Sequence, residues 1–204
     1  MNQDAIVAAL IADKLVSDPA GARGRLLREA ARLFRQKGYE RTTVRDLATS
    51  VGLHSGSVFH HFRTKEDILK AVMVETIRRN TALLQAAVDA AGSDRARLRA
   101  LVKAELEFIN GQSGEAMAVL VFEWRSLSAA ARAEVLVLQD GYEQLWLTTL
   151  RALHVAGVIR VEPRLARRLL TGALSWTVTW YRPEGAVTLD GLTDQVLALV
   201  APPV

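Results

Sequence analysis

Within one short stretch the chain collects groups that bind phosphates and read bases: Thr43, Arg45, Ser55, Ser57, His60, His61 and Lys65. Thr43 and Lys65 stand where helices are expected to begin, so hydroxyl, ammonium and helix dipole can converge on a phosphate. Ser55 and Ser57 open a second short helix, where a small hydroxyl reaches a base edge or a phosphate. Arg45 projects from the helix before it and can reach either. His60 and His61 also invite a metal reading. Adjacent helical side chains diverge by ~100°, however, and no cysteine or carboxylate cluster stands nearby. No metal and no cofactor is expected. No enzyme is expected either: there is no nucleophile–base pair, no paired carboxylates at catalytic spacing, no phosphate loop and no zinc motif.

A second collection is aromatic. Phe108, Met117, Phe122, Trp124, Tyr142, Trp146, Trp176 and Trp180, with Tyr181, stand in a body otherwise built of Leu, Ala and Val. Each alone suits core packing. Together they favour an apolar ligand cavity, since pockets are lined by aromatics with a few placed polar groups. Candidate polar partners are Glu123, Arg125, His154 and Arg182. An arginine would pair a carboxylate or a coenzyme A phosphate, whereas a cationic drug would want Glu105, Glu107 or Glu123 facing inward. The residues leave that choice open.

The elements that must position the first collection are short. Val44, Leu47, Ala48 and Val51 fall at i, i+3, i+4 and i+7, one face of a helix. Thr43 precedes them as a cap, and Gly52 follows where a chain leaving a helix often needs positive φ. A second helix starts near Ser55, with Val58 and Phe62 pointing inward and Ser55, Ser57 and His61 free to face out. Helix, tight turn and short helix with a small polar outer face form a helix-turn-helix, whose second helix enters the major groove of DNA. Arg23–Lys37 supplies the amphipathic lid these two helices need. Thr64 caps a long helix from Lys65 to about Ala91, roughly 40 Å at 1.5 Å per residue.

Further helices are expected over Asp94–Asn110, Glu115–Arg125, Ser128–Gly157, Glu162–Trp180 and Thr188–Val200. No strand pattern survives, so the fold class is all-α. Residues 1–20 read as a mobile arm or tag-like extension, with a helix over roughly 4–16 detached by Pro19 and Gly21. Residues 21–70 read as the DNA-binding head and 71–204 as a ligand-binding and dimerisation body.

Charge supports this division. The chain carries a net +4, yet residues 21–79 hold 13 Lys and Arg against 6 Asp and Glu, the footprint expected where phosphates are neutralised. Half the residues are apolar, which excludes global disorder. The absence of cysteine excludes a disulfide framework and suits a reducing cytoplasm. The start lacks the basic region of a signal peptide, and no run of ~18 apolar residues occurs, so no membrane association is expected.

Gly24 to Ala71 resembles the N-terminal domain of TetR-type transcriptional regulators. The pieces in register are Ala30-Ala31-Arg32-Leu33-Phe34, Gly38-Tyr39, Thr42 to Ala48, Val51-Gly52-Leu53, Gly56 to Phe62 and Lys65 to Leu69. The resemblance implies a homodimer of nine- or ten-helix subunits, usually a repressor released from its operator by a small ligand. It also implies that the last two helices pack into a four-helix dimer interface. Phe122 to Leu127, Tyr142 to Trp146 and Trp176 to Gly185 resemble a subgroup that regulates fatty-acid, steroid or other acyl-CoA metabolism.

Two positions depart from the family. Phe59 stands where a tyrosine hydroxyl usually reaches a phosphate, and His54 where a small polar cap is usual. Imidazole at that position caps poorly but can touch a phosphate or base. The candidate DNA contacts are therefore Thr43, Val44, Arg45, His54, Ser55, Ser57, Phe59, His60, His61 and Lys65. The expected partners are a palindromic duplex operator, a second copy of the chain and a small hydrophobic effector, acyl-CoA-like by resemblance. A cationic or aromatic drug-like effector and a helical protein-interaction adaptor are the alternatives. The adaptor leaves the localised positive charge unexplained.

Overall fold

The structure, a computed structural model, describes residues 2–111 and 114–202. Ten α-helices occur among them, with no strand: α1 (Gln3–Ala12), α2 (Ala22–Lys37), α3 (Val44–Ser50), α4 (Ser55–Phe59), α5 (Lys65–Asp89), α6 (Asp94–Asn110), α7 (Gly114–Phe122), α8 (Ala129–Val155), α9 (Pro163–Trp180) and α10 (Leu189–Val200). A single 3-10 turn, Trp124–Ser126, separates α7 from α8.

Local chemistry fixes most helix ends. Ser93, Glu162 and Thr188 each accept a backbone N–H at the start of α6, α9 and α10, and Pro163 occupies the first turn of α9. Expected and observed helices agree to within a few residues. The exception is Glu115–Arg125, where α7 ends at Phe122 and the remainder tightens into the 3-10 turn.

The chain divides into two compact units. The first holds residues up to Arg79 together with Glu115–Gln139; the second holds Asn80–Gly114 and Asp140 onward. α5 and α8 contribute residues to both.

In the first unit, Leu26, Phe34, Leu47, Val58, Ile68, Leu69 and Met73 form one buried cluster. Val119, Leu127, Ala131 and Val135, from α7, the turn and the start of α8, belong to the same cluster. The two short helices are thus packed by α2, by α5 and by a segment more than forty residues further along the chain.

Residues 2–20 are not a detached arm. Pro19 and Gly21 end the helix, but they do not prevent packing. Ile6 and Val16 are buried. Ser17 donates its backbone N–H to Glu75 Oε2 at 2.7 Å and its hydroxyl to Glu75 Oε1 at 3.0 Å. Arg23 pairs with the same carboxylate and lies over the Phe62 ring at 4.9 Å. Gly24 has no side chain because the arm lies against it. A Cβ there would stand 2.1 Å from the Asp18 carbonyl oxygen.

In the second unit α6 packs against both α9 and α10. Leu98, Leu101, Leu106, Trp146, Leu150 and Leu174 are buried. On the outside, Arg99 bridges Asp190 and Asp194 at 3.0 Å each, and Lys103 meets Asp190 at 2.9 Å.

Candidate functional site

Thr43 begins α3 through a reciprocal capping box. Its hydroxyl oxygen accepts the Asp46 N–H at 3.1 Å, and its own N–H donates to Asp46 Oδ2 at 2.9 Å. These bonds hold the Asp46 carboxyl below its ordinary value, so it stays ionised. The Thr43 hydroxyl also donates to Asp46 Oδ2, which commits it to the cap. After α3 the chain turns at Gly52, whose φ of +69° is the left-handed conformation that favours glycine. That turn delivers α4, five residues long, against α3.

Burial sorts α4 into two faces. Val58 is fully buried, whereas His54, Gly56, Phe59, His60 and His61 are exposed and Ser55 and Ser57 are half-buried. Phe59 is 52% exposed, so its ring stands mostly in solvent and its lost hydroxyl is not replaced by packing. Val44 is half-buried against the core and Arg45 is exposed beside it. His54 occupies the N-cap of α4 in extended conformation with no side-chain capping bond, leaving its ring unused by the helix. His60 and His61 join no metal cluster; no group of three potential ligands exists among the described residues.

Lys65 is placed differently from a free cation. Its ammonium donates to the Tyr39 carbonyl at 2.9 Å and lies 4.0 Å from the centre of the Tyr39 ring. Tyr39 stacks edge-on with Phe34 at 5.3 Å, and its N–H donates to Glu123 Oε1 at 3.1 Å. This connection is therefore held on three sides. Glu123 also accepts the Ser126 hydroxyl, Glu66 accepts the Ser128 N–H at 2.7 Å, and Lys70 meets Glu134 at 3.1 Å. Sequence reasoning missed Tyr39 and Glu123 as a pair because 84 residues separate them.

The aromatic set divides between the units. Met117, Phe122 and Trp124 belong to the first; Phe108, Tyr142, Trp146, Trp176 and Trp180 belong to the second. Phe108 and Trp146 are buried, but Phe122 is 73% exposed and Trp176 67% exposed. A groove of about 820 Å³ in the first unit is lined mainly by the arm, the start of α2 and α5, including Lys14, Arg23, Lys70 and Arg78, and by none of the eight.

Of the candidate polar partners, Glu123 is bound to Tyr39 as above. His154 Nδ1 lies 2.9 Å from the Ile159 carbonyl, and Arg182 donates to its neighbour's carbonyl. Glu105 is buried and accepts the Tyr142 hydroxyl.

α9 carries a second feature. Leu165, Leu169, Trp176 and Trp180 are exposed and fall at i, i+4, i+11 and i+15, a single stripe along one face. Leu199 of α10 is 86% exposed. Leu170, Leu174 and Leu192 of the same two helices turn into the core of the unit.

The family model for bacterial regulatory proteins of the tetR family matches residues 26–72, and the model for the tetracyclin repressor-like C-terminal domain matches residues 91–202. The HTH-type transcriptional repressor KstR2 of Rhodococcus jostii is 35% identical, covering 90% of this chain and 91% of its own. The crystal structure of a protein described as superantigen pfit is 50% identical, with a TM-score of 0.85, covering 98% of this chain and 99% of its own. AibR, solved in complex with isovaleryl coenzyme A and operator DNA, has a TM-score of 0.80 over 89% of this chain and 99% of its own. Its identity is 23%, so that likeness is one of fold.

Proposed function

The chain belongs to the TetR family of bacterial transcriptional regulators, and from that premise we propose that it represses transcription as an effector-released homodimer on a palindromic operator. The observation that carries this reading is the outward face of α4. Half-buried serines and an exposed phenyl ring of α4, with the exposed imidazoles of His54, His60 and His61 at its two ends, stand around the fully buried Val58. A capped α3 and Arg45 flank the helix.

In this reading Ser55, Ser57, His60 and His61 meet base edges and phosphates, while Arg45 and His54 fix the register on the backbone and Thr43 holds the start of α3 in place for them. Val44 and Phe59 supply apolar contact. Lys65 supports the surface from beneath by holding Tyr39. Two-fold half-sites about 34–36 Å apart require two heads, and the α9 stripe with Leu199 is the surface we assign to the second copy.

The effector is proposed to be a small apolar molecule of acyl-CoA-like chemistry bound by the second unit. The subgroup resemblance of Trp176 to Gly185 supports this, and a regulator of the same fold holds an acyl-CoA together with operator DNA. Release requires the effector to prefer the DNA-incompetent conformation; equal affinity for both would shift nothing. α5 and α8, which run through both units, are the elements that would carry the shift.

Fluorescence anisotropy with the DNA upstream of the protein's own gene tests the core of the proposal. Binding should be specific over random duplex and should weaken steeply with salt, with a slope near −0.9 per neutralised phosphate. Equal affinity for random DNA discards the repressor. Arg45→Ala should weaken every sequence alike, whereas Ser57→Ala should change the preference between sequences.

A further inference from the structure

The second unit contains a buried charged cluster that neither DNA binding nor core packing explains. Arg167 of α9 is 5% exposed. Its Nε donates to Glu143 at 3.1 Å and its Nη2 to the same carboxylate at 3.0 Å, a two-pronged pairing that uses one edge of the guanidinium. Glu105, 3% exposed, approaches Nη2 at 3.6 Å and accepts the Tyr142 hydroxyl. The indole of Trp146 lies against the guanidinium carbon at 4.3 Å from its centre. The remaining nitrogen, Nη1, is buried and has no hydrogen-bond partner.

Two N–H donors left unpaired in a buried site are costly, and such a group in a native fold calls for a partner. Charge decides which kind. Burial opposes the charge on Arg167, but Glu105 and Glu143 more than offset it, so the guanidinium stays protonated. Burial and the Glu105 charge keep Tyr142 a phenol that donates. Arg167 is thus already matched by a buried carboxylate and by a second one at the surface. A carboxylate or phosphate at Nη1 would add a further negative charge beside Glu105. A cation would meet the guanidinium itself. A neutral acceptor meets neither penalty.

We propose that Arg167 Nη1 is the polar anchor of the effector site, and that it receives an uncharged carbonyl oxygen of a ketone, ester or thioester on an otherwise apolar molecule. The inference rests on the reading of the second unit as the effector-binding body. It narrows the ligand from lipid-like molecules in general to those whose functional group is a neutral carbonyl. Free fatty acids are thereby disfavoured against their thioesters, and cationic drugs are disfavoured outright.

The test uses the full-length protein and three probes that share a ten-carbon apolar chain: methyl decanoate, decanoate and decyltrimethylammonium. Affinities are measured by calorimetry or by displacement of a solvatochromic dye, for wild type and R167K. Lysine keeps the charge that balances Glu105 but lacks the third nitrogen, and thermal unfolding of the unliganded variant reports whether it folds. Wild type should bind methyl decanoate about tenfold or more tighter than decanoate, whose charge would have to sit beside Glu105. R167K should lose most of that ratio.

A preference for decanoate or for the ammonium probe overturns the proposal, as does an ester-to-acid ratio unchanged in R167K. In those cases binding of the apolar chain leaves the effector-body reading standing. Failure of wild type to bind any of the three removes both readings together. Should R167K fail to fold, the ratio in E143Q, which frees the guanidinium edge without removing it, serves instead. With only Glu105 left to match the guanidinium, the variant should bind decanoate relatively better and narrow the ester-to-acid ratio; an unchanged ratio overturns the assignment.

Discussion

Replacing Lys65 by methionine separates two roles that its position at a helix start invites. If its ammonium were a free phosphate ligand, the variant would fold normally and bind DNA less tightly. The geometry says otherwise. The ammonium donates to the Tyr39 carbonyl at 2.9 Å and lies 4.0 Å over the Tyr39 ring. A hydrogen bond from a charged donor contributes about 1.5–3 kcal/mol and a cation–π contact about 0.5–1 kcal/mol. Lys65 is only half-buried, so water competes for both, and a loss at or just below the floor of the combined range, ~1.5–2 kcal/mol, is expected. For a chain of this length that lowers Tm by about 3–8 °C. Calorimetric unfolding without DNA measures it directly, and anisotropy against salt measures the phosphate count. Lys65→Met should lower Tm and leave the salt slope unchanged. An unchanged Tm with a slope reduced by about one would refute the reasoning and put the ammonium on a phosphate.

Trp176→Glu places a charge in the exposed α9 stripe, and sedimentation equilibrium should show monomer where wild type is dimeric; an unchanged dimer would remove the stripe from the interface. Gly24→Ala forces a methyl group against the Asp18 carbonyl and Pro19, an overpacking cost of about 1–3 kcal/mol, and the arm should lift. Hydrogen exchange over residues 3–16 should then accelerate, and unaltered protection would show that the arm is not seated on α2. Acid should destabilise the fold in a definite window. Hydrogen bonds from the Ser128 backbone to Glu66, and from the Arg164 and Leu165 N–H groups to Glu162, lower both carboxyls from 4.5. Thr43 lowers Asp46 from 3.8. Folded values below unfolded ones mean that this stability is complete above about pH 4.5 and is lost as pH falls through the depressed values. Urea midpoints should be level from neutral pH to about 5 and then decline; a decline beginning near neutrality would implicate other groups.

The helices were legible because apolar spacing and cap chemistry are local. Asp94–Asn110 follows from Ser93 and one apolar stripe, and Gly52 takes the left-handed conformation its place in the turn demanded. The outward face of α4 was legible for the same reason: Val58 and Phe62 could pack only one way. What the sequence hid is contact between distant segments. Pro19 and Gly21 correctly end α1, yet nothing local says that Ser17 will find Glu75. Lys65 reads as a free cation until Tyr39, twenty-six residues earlier, is brought beneath it. Composition has no direction, so it does not say which aromatic residues are buried. Burial distributes them, with Trp146 inside one unit and Trp176 in solvent along the α9 stripe. Arg167 drew no notice, since its partners come from α6 and α8.

Tyr39, Val119, Leu127, Ala131 and Val135 share one cluster, and this bears on how the chain can be cut. A fragment trimmed to the residues that match the tetR-family model would keep every group proposed to meet the duplex, yet it would open the hydrophobic interior behind them to water. Chimeras that graft this head onto a relative's body face the same difficulty. The recognition surface is portable only if α7, the turn after it and the first part of α8 travel with it as a folding partner.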